Sequence, residues 1–506
     1  MGLFLSELVA IDVLFVLAAS ILAIWIYFQH TYQYWERKGV PYLKPTFPYG
    51  NVKVIFKKTL HTTTDAKTWY DELKIKGHKF GGVYTFSRRR LVLVDPEYIK
   101  DVLTKDFNHF IDRNDHVDEK NNPKGAHLFN IRNPGWKPLR QKLTPTFTSG
   151  KMKMMFNSVL ECSNYMIDFM KKDVQDGQDI DSREIMAAFT TDVIGSVAFG
   201  VECNSFDNSK PEFLNMGRRL LDGGKFSSLL IFIASICPGI GKTLGALAKD
   251  SLPKAFFTEV VRSTLEYRKN NKVRRPDFLQ LLLDMHEEPT DSEKYVNFNQ
   301  IVANTILFFI AGFDTSSTTM NFTLYELARN PQIQEKTRDE INTVLAKYQG
   351  KITYEALQEM TYLQQVIDET LRLWPPLISL ERICTKDYTL RDTNIVIEKG
   401  TAIEISPLGL GRDPEYFPNP EKFDPERFTA EEKLKRHPYV HIPFGEGPRN
   451  CIGLRFGLMQ SRIGIIRVLT NFKLSISSKT KMPLTVSSQY FLLKSNEKLY
   501  LRAERI

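Results

Sequence analysis

The chain has 506 residues, 42% hydrophobic and 25% charged, with a formal net charge of +9. That balance is globular rather than disordered. Its basic excess suits an acidic partner or an anionic membrane surface, while the absence of zinc-finger spacing, a basic heptad region and an RNA-binding aromatic signature argues against nucleic acid. The five cysteines, Cys162, Cys203, Cys237, Cys384 and Cys451, are scattered and include no CxxC. They argue against a disulfide framework or structural zinc site and for a reducing compartment.

In chain order, the first element is the apolar run Leu8 to Phe28, with Asp12 its only charge. About twenty residues cross a hydrocarbon core. No basic segment precedes it and no cleavage site follows, so residues 1–30 are expected to be an uncleaved anchor and not a signal peptide. Glu7 precedes the run and Arg37 and Lys38 follow it, which puts the remainder on the cytosolic side. Residues 31–51, with Pro41, Pro45 and Pro48, read as a stiff linker. Residues 52–506 read as one catalytic domain.

Within that domain, GGVYTF and LVLV flank the basic turn SRRR, as in a hairpin. Asp95 and Pro96 provide cap and first-turn chemistry for a helix through Leu103. A second apolar run, Phe226 to Pro238, is too short to span a bilayer and reads as core or as a loop dipping into the membrane. The middle of the chain has helical periodicity. It predicts helices over Asn297–Arg329, Ile341–Tyr348 and Tyr362–Leu373, the last ending before Pro375-Pro376. The strand-like IVIEKGTAIEIS follows, and a final helix is expected from Ile452 to Asn471. The fold class is mainly α with a small β portion.

Two patterns mislead. GIGKT, Gly239 to Thr243, resembles the end of a phosphate-binding loop, but Ile236 stands where that motif needs glycine. HPYVH, His437 to His441, has zinc-pair spacing without the glutamate and with Pro438 inside it, so it reads as a loop or short strand.

The stretch FGEGPRNCIG, Phe444 to Gly453, carries more. A cysteine ligates metal as thiolate, and backbone N–H groups near a helix start stabilise that anion. Gly445, Gly447 and Gly453 allow close approach of a flat cofactor. Arg449 suits a carboxylate, and Phe444 offers a flat face beside the sulfur. Together these describe Cys451 as a thiolate ligand on a heme, with an arginine for a propionate.

The pattern Phe-x-x-Gly-x-Arg-x-Cys-x-Gly resembles that of the heme-thiolate monooxygenases, the cytochromes P-450. WxxxR at Trp136 and Arg140, AGFDT from Ala311 to Thr315, ExxR at Glu369 and Arg372, and PERF from Pro425 to Phe428 occur in the order of that family. The phrases AGFDTSSTTMNFTLYEL and RICTKDYTL are similar to the insect detoxifying members related to the mammalian drug-metabolising type.

The resemblance implies heme b as cofactor and Cys451 as axial ligand of its iron. Arg113, Trp136, Arg140, Arg382 and Arg449 are implied at the propionates. Ala311 and Gly312 would keep one helix face thin. Asp314 and Thr315 would assist O–O cleavage, the threonine bonding back to the Ala311 carbonyl. Glu369, Arg372 and Arg427 would form a structural ion-pair network. The substrate pocket would draw on Leu128, Phe129, Leu307, Ile310, Ala311, Leu377, Ile378, Leu380, Phe491 and Leu492, all apolar, for a lipophilic substrate.

No flavin or nicotinamide fingerprint is present, so NADPH and flavins are expected only through a partner, NADPH–cytochrome reductase, with cytochrome b5 as a second candidate. Lys137, Lys142, Lys151, Lys153 and Arg455 are candidates for its docking face. The expected setting is the endoplasmic reticulum membrane, with lipid around the anchor. Alternatives kept open are a dedicated hydroxylase of a hormone, pheromone or lipid, a heme-thiolate isomerase or dehydratase, and a non-catalytic heme protein.

Overall fold

The computed structural model describes residues 2–52, 65–113, 125, 127–175, 178–207, 211–222, 251–275, 277–289, 296–487 and 492–506. Phe226–Pro238, GIGKT, Cys237 and Phe491 lie outside them. The chain is mainly helical, with a smaller sheet portion. A large apolar core fills the helical part, and a second lies under the sheet.

The helix Phe298–Arg329 is the spine. Its start is fixed by a capping box: the Asn297 carboxamide accepts from the Gln300 backbone N–H, and the Gln300 side chain accepts from that of Asn297. Pro331 opens the next helix, Pro331–Lys347, which absorbs the shorter helix expected over Ile341–Tyr348. The spine is long and apolar enough to cross a membrane, but 67% of its apolar window is buried, as in a core helix. The N-terminal helix Gly2–Tyr32 differs: only 6% of its apolar window is buried, and Phe15 is 74% exposed. An apolar helix that the protein does not cover suits a bilayer.

The main sheet has four strands in the order Phe80–Thr85, Arg88–Leu93, Ala402–Ile405, Leu380–Ile383, with only the central pair parallel. The turn of its hairpin is Phe86-Ser87, not SRRR, and Phe86 has a φ of 55°. The arginines lie in the strand because distant acids satisfy them: Arg90 reaches Glu381 and Glu404 at 2.9 Å each, and Arg89 reaches Glu398 at 3.1 Å. Asp95 caps the following helix as expected, accepting from Glu97 N–H, though the α-helix proper ends at Lys100. HPYVH holds a single 3-10 turn, Pro438–Val440, with His437 2.9 Å from Glu97.

Residues 31–51, expected as a stiff linker, make packing contacts with this sheet. Trp35 is 1% exposed and its indole N–H donates to the Val83 carbonyl. Leu43 N–H donates to Gly82 O, and Gly82 N–H to Pro41 O. Proline lacks a donor but keeps an acceptor, which suits an edge segment. A Cβ on Gly82 would lie 2.2 Å from the Trp35 ring, so only glycine admits this approach.

Glu369 and Arg372, at 0% and 1% exposure, form a two-pronged pair at 2.6 and 2.8 Å on the helix Thr361–Leu373. Arg372 also donates to the carbonyls of Gly411 and Lys422. Glu369 accepts from Asp424 N–H and lies 3.5 Å from the Arg427 guanidinium. The three residues expected as a network are therefore in one place, tying a core helix to the loops that precede the cysteine segment. Burial pushes the Glu369 carboxyl up, and the Arg372 charge opposes it. Removing one partner of a buried pair costs about 3–5 kcal/mol. Arg372→Leu is expected to lower stability by that amount in equilibrium unfolding, and an unchanged unfolding midpoint would remove the pair from this role.

Candidate functional site

The cysteine loop is shaped by its own backbone. Cys451 N–H donates to the Phe444 carbonyl at 2.9 Å, and Asn450 N–H to Gly447 O at 3.0 Å. Gly445 and Gly447 have φ of 67° and 74°. A Cβ on Gly447 would fall 1.8 Å from the Leu103 carbonyl oxygen, so this turn excludes any side chain. The helix that follows starts at Leu454, slightly later than expected, with Gly453 as its cap.

Cys451 is exposed, yet protein crowds it enough that burial raises its thiol pKa. The Gly453 backbone and the charges of Arg113 and Arg140 pull the thiol in the opposite direction. A cation bound at the sulfur would complete the deprotonation.

The arginines gather beside it. Arg113 donates to the Arg449 carbonyl at 2.6 Å and lies over the Phe129 ring. Arg140 donates to the carbonyl and side chain of Asn450. Arg449 donates to the carbonyls of Phe129 and Ile131 and lies 4.4 Å from the Trp136 ring centre. Arg382 donates to the Glu381 carbonyl from within the strand Leu380–Ile383. Among the described residues, Asp112 is a carboxylate beside this group, 3.6 Å from Arg449 and 3.0 Å from Arg132.

Burial and mutual repulsion push Arg449 down to about 9, Arg113 to about 10 and Arg382 well below the ordinary range. Arginine stays protonated in proteins, so these shifts register uncompensated positive charge. Among the described residues, Arg382 Nε and Arg449 Nε are buried without a hydrogen-bond partner. A cofactor with two carboxylates fits this deficit, and heme is such a group.

Ala311 is exposed on a helix otherwise largely sealed. Thr315 Oγ1 donates to the Ala311 carbonyl at 2.5 Å, the back-bond expected. Gly312 does something else. A Cβ there would lie 2.3 Å from Ile194 Cδ1, and its carbonyl accepts from Gln460, so it serves helix packing. Asp314 is buried, 3.8 Å from Lys494 Nζ.

The apolar residues expected at the pocket divide. Leu307, Ile310 and Leu377 are half-buried and keep accessible surface, as does Phe129 beside Arg113. Leu128, Ile378, Leu380 and Leu492 are buried, at 8% exposure or less. Asp112, Asn450 and Lys494 were not foreseen. Asp112 and Lys494 belong to no motif, Asn450 stands at an open position of the cysteine pattern, and their partners Arg449, Asp314 and Arg140 lie far away in sequence. Of the basic residues expected as a docking face, Lys137 is exposed, Lys153 pairs with Glu355 at 2.6 Å and Arg455 donates to Ser149.

Known proteins resemble the chain over nearly all its length. The family description Cytochrome P450 matches residues 48–502. Probable cytochrome P450 6a23 of Drosophila melanogaster is 41% identical over 477 residues, covering 94% of this chain and 95% of that protein. Cytochrome P450 6A1 of Musca domestica is 39% identical over 479 residues, 94% of each. Cytochrome P450 6a2 of Drosophila melanogaster is 38% identical over 505 residues, covering 98% of this chain and all of that protein. A cysteine loop closed to side chains and a buried surplus of guanidinium charge thus sit in a chain that belongs to the cytochrome P450 family, in its insect microsomal branch, whose members are heme-thiolate monooxygenases.

Proposed function

We propose that the chain is an NADPH- and O2-dependent monooxygenase that hydroxylates or epoxidises lipophilic small molecules, foremost plant toxins and insecticides. The observation that carries this reading is Cys451, solvent-accessible yet crowded by protein, beside a cluster of arginines that outnumbers its close carboxylate, Asp112. Half-buried Leu307, Ile310 and Leu377 support an apolar substrate.

Heme, when bound, supplies the oxygen-activating chemistry, with electron density donated by the thiolate. The chain's own residues do the rest. Cys451 provides the sulfur ligand, held by its N–H bond to Phe444. Trp136, Arg113, Arg140, Arg382 and Arg449 would hold the two carboxylates, the arginine contacts relieving some of the repulsion among the guanidinium groups. Thr315, bonded back to Ala311, keeps its oxygen lone pairs available to water. Asp314 is the acid from which a proton reaches that water.

Electrons come from NADPH–cytochrome reductase, with cytochrome b5 as a second donor, and exposed Lys137 belongs to the docking face. Residues 1–30 anchor the protein in the endoplasmic reticulum membrane. Residues 31–51 join the anchor to a catalytic domain, 52–506, on the cytosolic face.

The first test is the absorption spectrum of reduced protein with carbon monoxide. A strongly red-shifted Soret band is expected, and Cys451→Ala should abolish it; an unchanged spectrum in that variant overturns the assignment of the ligand. Turnover of a lipophilic panel should require NADPH and reductase. Turnover of peroxides without them would instead mark an isomerase or dehydratase, and a single accepted substrate would mark a dedicated hydroxylase. Thr315→Ala is expected to keep consuming NADPH while forming less product per NADPH. Unchanged coupling would take Thr315 out of the mechanism.

A further inference from the structure

Behind Thr315 the spine helix carries a polar stripe that packing does not require. Asp314, Ser317 and Asn321 recur at helical spacing and line one cleft together with Arg183, Arg218 and Lys494. At the rim, Arg218 pairs with Glu184 at 2.5 Å. Deeper, the Ser182 hydroxyl donates to Asn321 at 2.7 Å. At the inner end, Lys494 and Asp314 face each other at 5% and 6% exposure.

A buried lysine is costly unless an opposite charge compensates it. Lys494 comes from the C-terminal turn, which is fixed in place: its carbonyl accepts from Ser487 N–H, and Leu493 N–H donates to Pro376 O. The ammonium is thus delivered to Asp314 by two distant segments, and not by a neighbour on the same helix. At 3.8 Å, Nζ and Oδ2 attract each other without a direct hydrogen bond. A contact of that length admits a bridging water.

We propose that Lys494 is a positioning residue for proton delivery, the counter-ion that keeps the Asp314 carboxylate charged and turned toward a water-bearing cleft. This rests on the reading of Asp314 and Thr315 as the proton-handling pair. The step is balanced. Cleft water takes a proton from solvent and passes it to the Asp314 carboxylate, which becomes a carboxylic acid. The acid passes that proton to the water held by Thr315 Oγ1 and is restored as carboxylate. The other charges around the cleft are Arg183, from the helix Ser182–Ile194, and Arg218, from the helix Glu212–Asp222, the latter neutralised by Glu184. At 3.8 Å, Lys494 is a cation close enough to bias the state of Asp314.

The test compares Lys494→Met and Lys494→Arg with the wild-type holoenzyme. Infrared difference spectra of protein labelled with carboxyl-13C aspartate report whether Asp314 is protonated, with Asp314→Asn locating its band. The wild type is expected to lack an Asp314 carboxylic-acid band at neutral pH. Lys494→Met is expected to show one, because its buried carboxylate loses its counter-charge, and Lys494→Arg is expected to lack it. Product per NADPH should fall about tenfold in Lys494→Met, less than the ~10²-fold loss typical of removing a general acid, with a larger solvent isotope effect.

If Lys494→Met does not fold, Lys494→Met with Asp314→Asn replaces both charges. It is expected to fold and to be no more uncoupled than Asp314→Asn alone. A folded Lys494→Met with no acid band and unchanged isotope effect overturns the proposal, as does an acid band in the wild type. Failure of the underlying reading looks different: the wild type itself would lack the red-shifted carbon monoxide band.

Discussion

The whole arrangement depends on one buried carboxylate. Glu369 holds Arg372 with both oxygens, and Arg372 in turn gathers the carbonyls of Gly411 and Lys422. Those carbonyls belong to the stretch between the sheet and the cysteine loop, which contains little regular structure to hold it. A helix supplies its own hydrogen bonds, whereas an irregular segment must find partners for each buried group. The ion pair meets that need, and the cation does so with its remaining donors. The pair is thus a clamp on loop conformation, and its value lies in the geometry it specifies more than in net attraction.

Positive charge is treated in the opposite way around Cys451. There the fold brings several arginines together beside one close acid, Asp112, and satisfies them largely with backbone carbonyls, those of Arg449, Asn450, Phe129 and Ile131. Carbonyl dipoles orient a guanidinium but do not neutralise it. Positive charge is thus in excess at this site, and a dianionic cofactor would find donors already positioned before it arrives.

Much of this was legible in the sequence where the chemistry is local. The cysteine loop is a run of ten residues from Phe444 to Gly453, and Glu369 and Arg372, one turn apart, gain meaning from the other motifs that stand with them in the order of the family they resemble. What was not legible depends on partners far along the chain. SRRR looked like a turn because Glu381, Glu398 and Glu404, which place its arginines in a strand, lie about three hundred positions later. Gly312 looked like room for a ligand, but its neighbour is Ile194. Residues 31–51 looked like a spacer because prolines often mark one, and only the sheet edge reveals their carbonyls as acceptors. Lys494 is one lysine among many until Asp314 is placed beside it.

The docked end of the N-terminal helix has a mechanical consequence. Residues 11–27 are bare, but Phe28 is 1% exposed and Tyr32 7%, both within the apolar core beneath the sheet, and Trp35 continues the contact. The helix therefore leaves the body like a mast stepped into a hull, not like a rope tied to it. If the bare part inserts into a bilayer, this packed junction restricts how far the body can swing about it. Shortening the chain beyond Phe28 would accordingly remove a piece of the hull along with the mast.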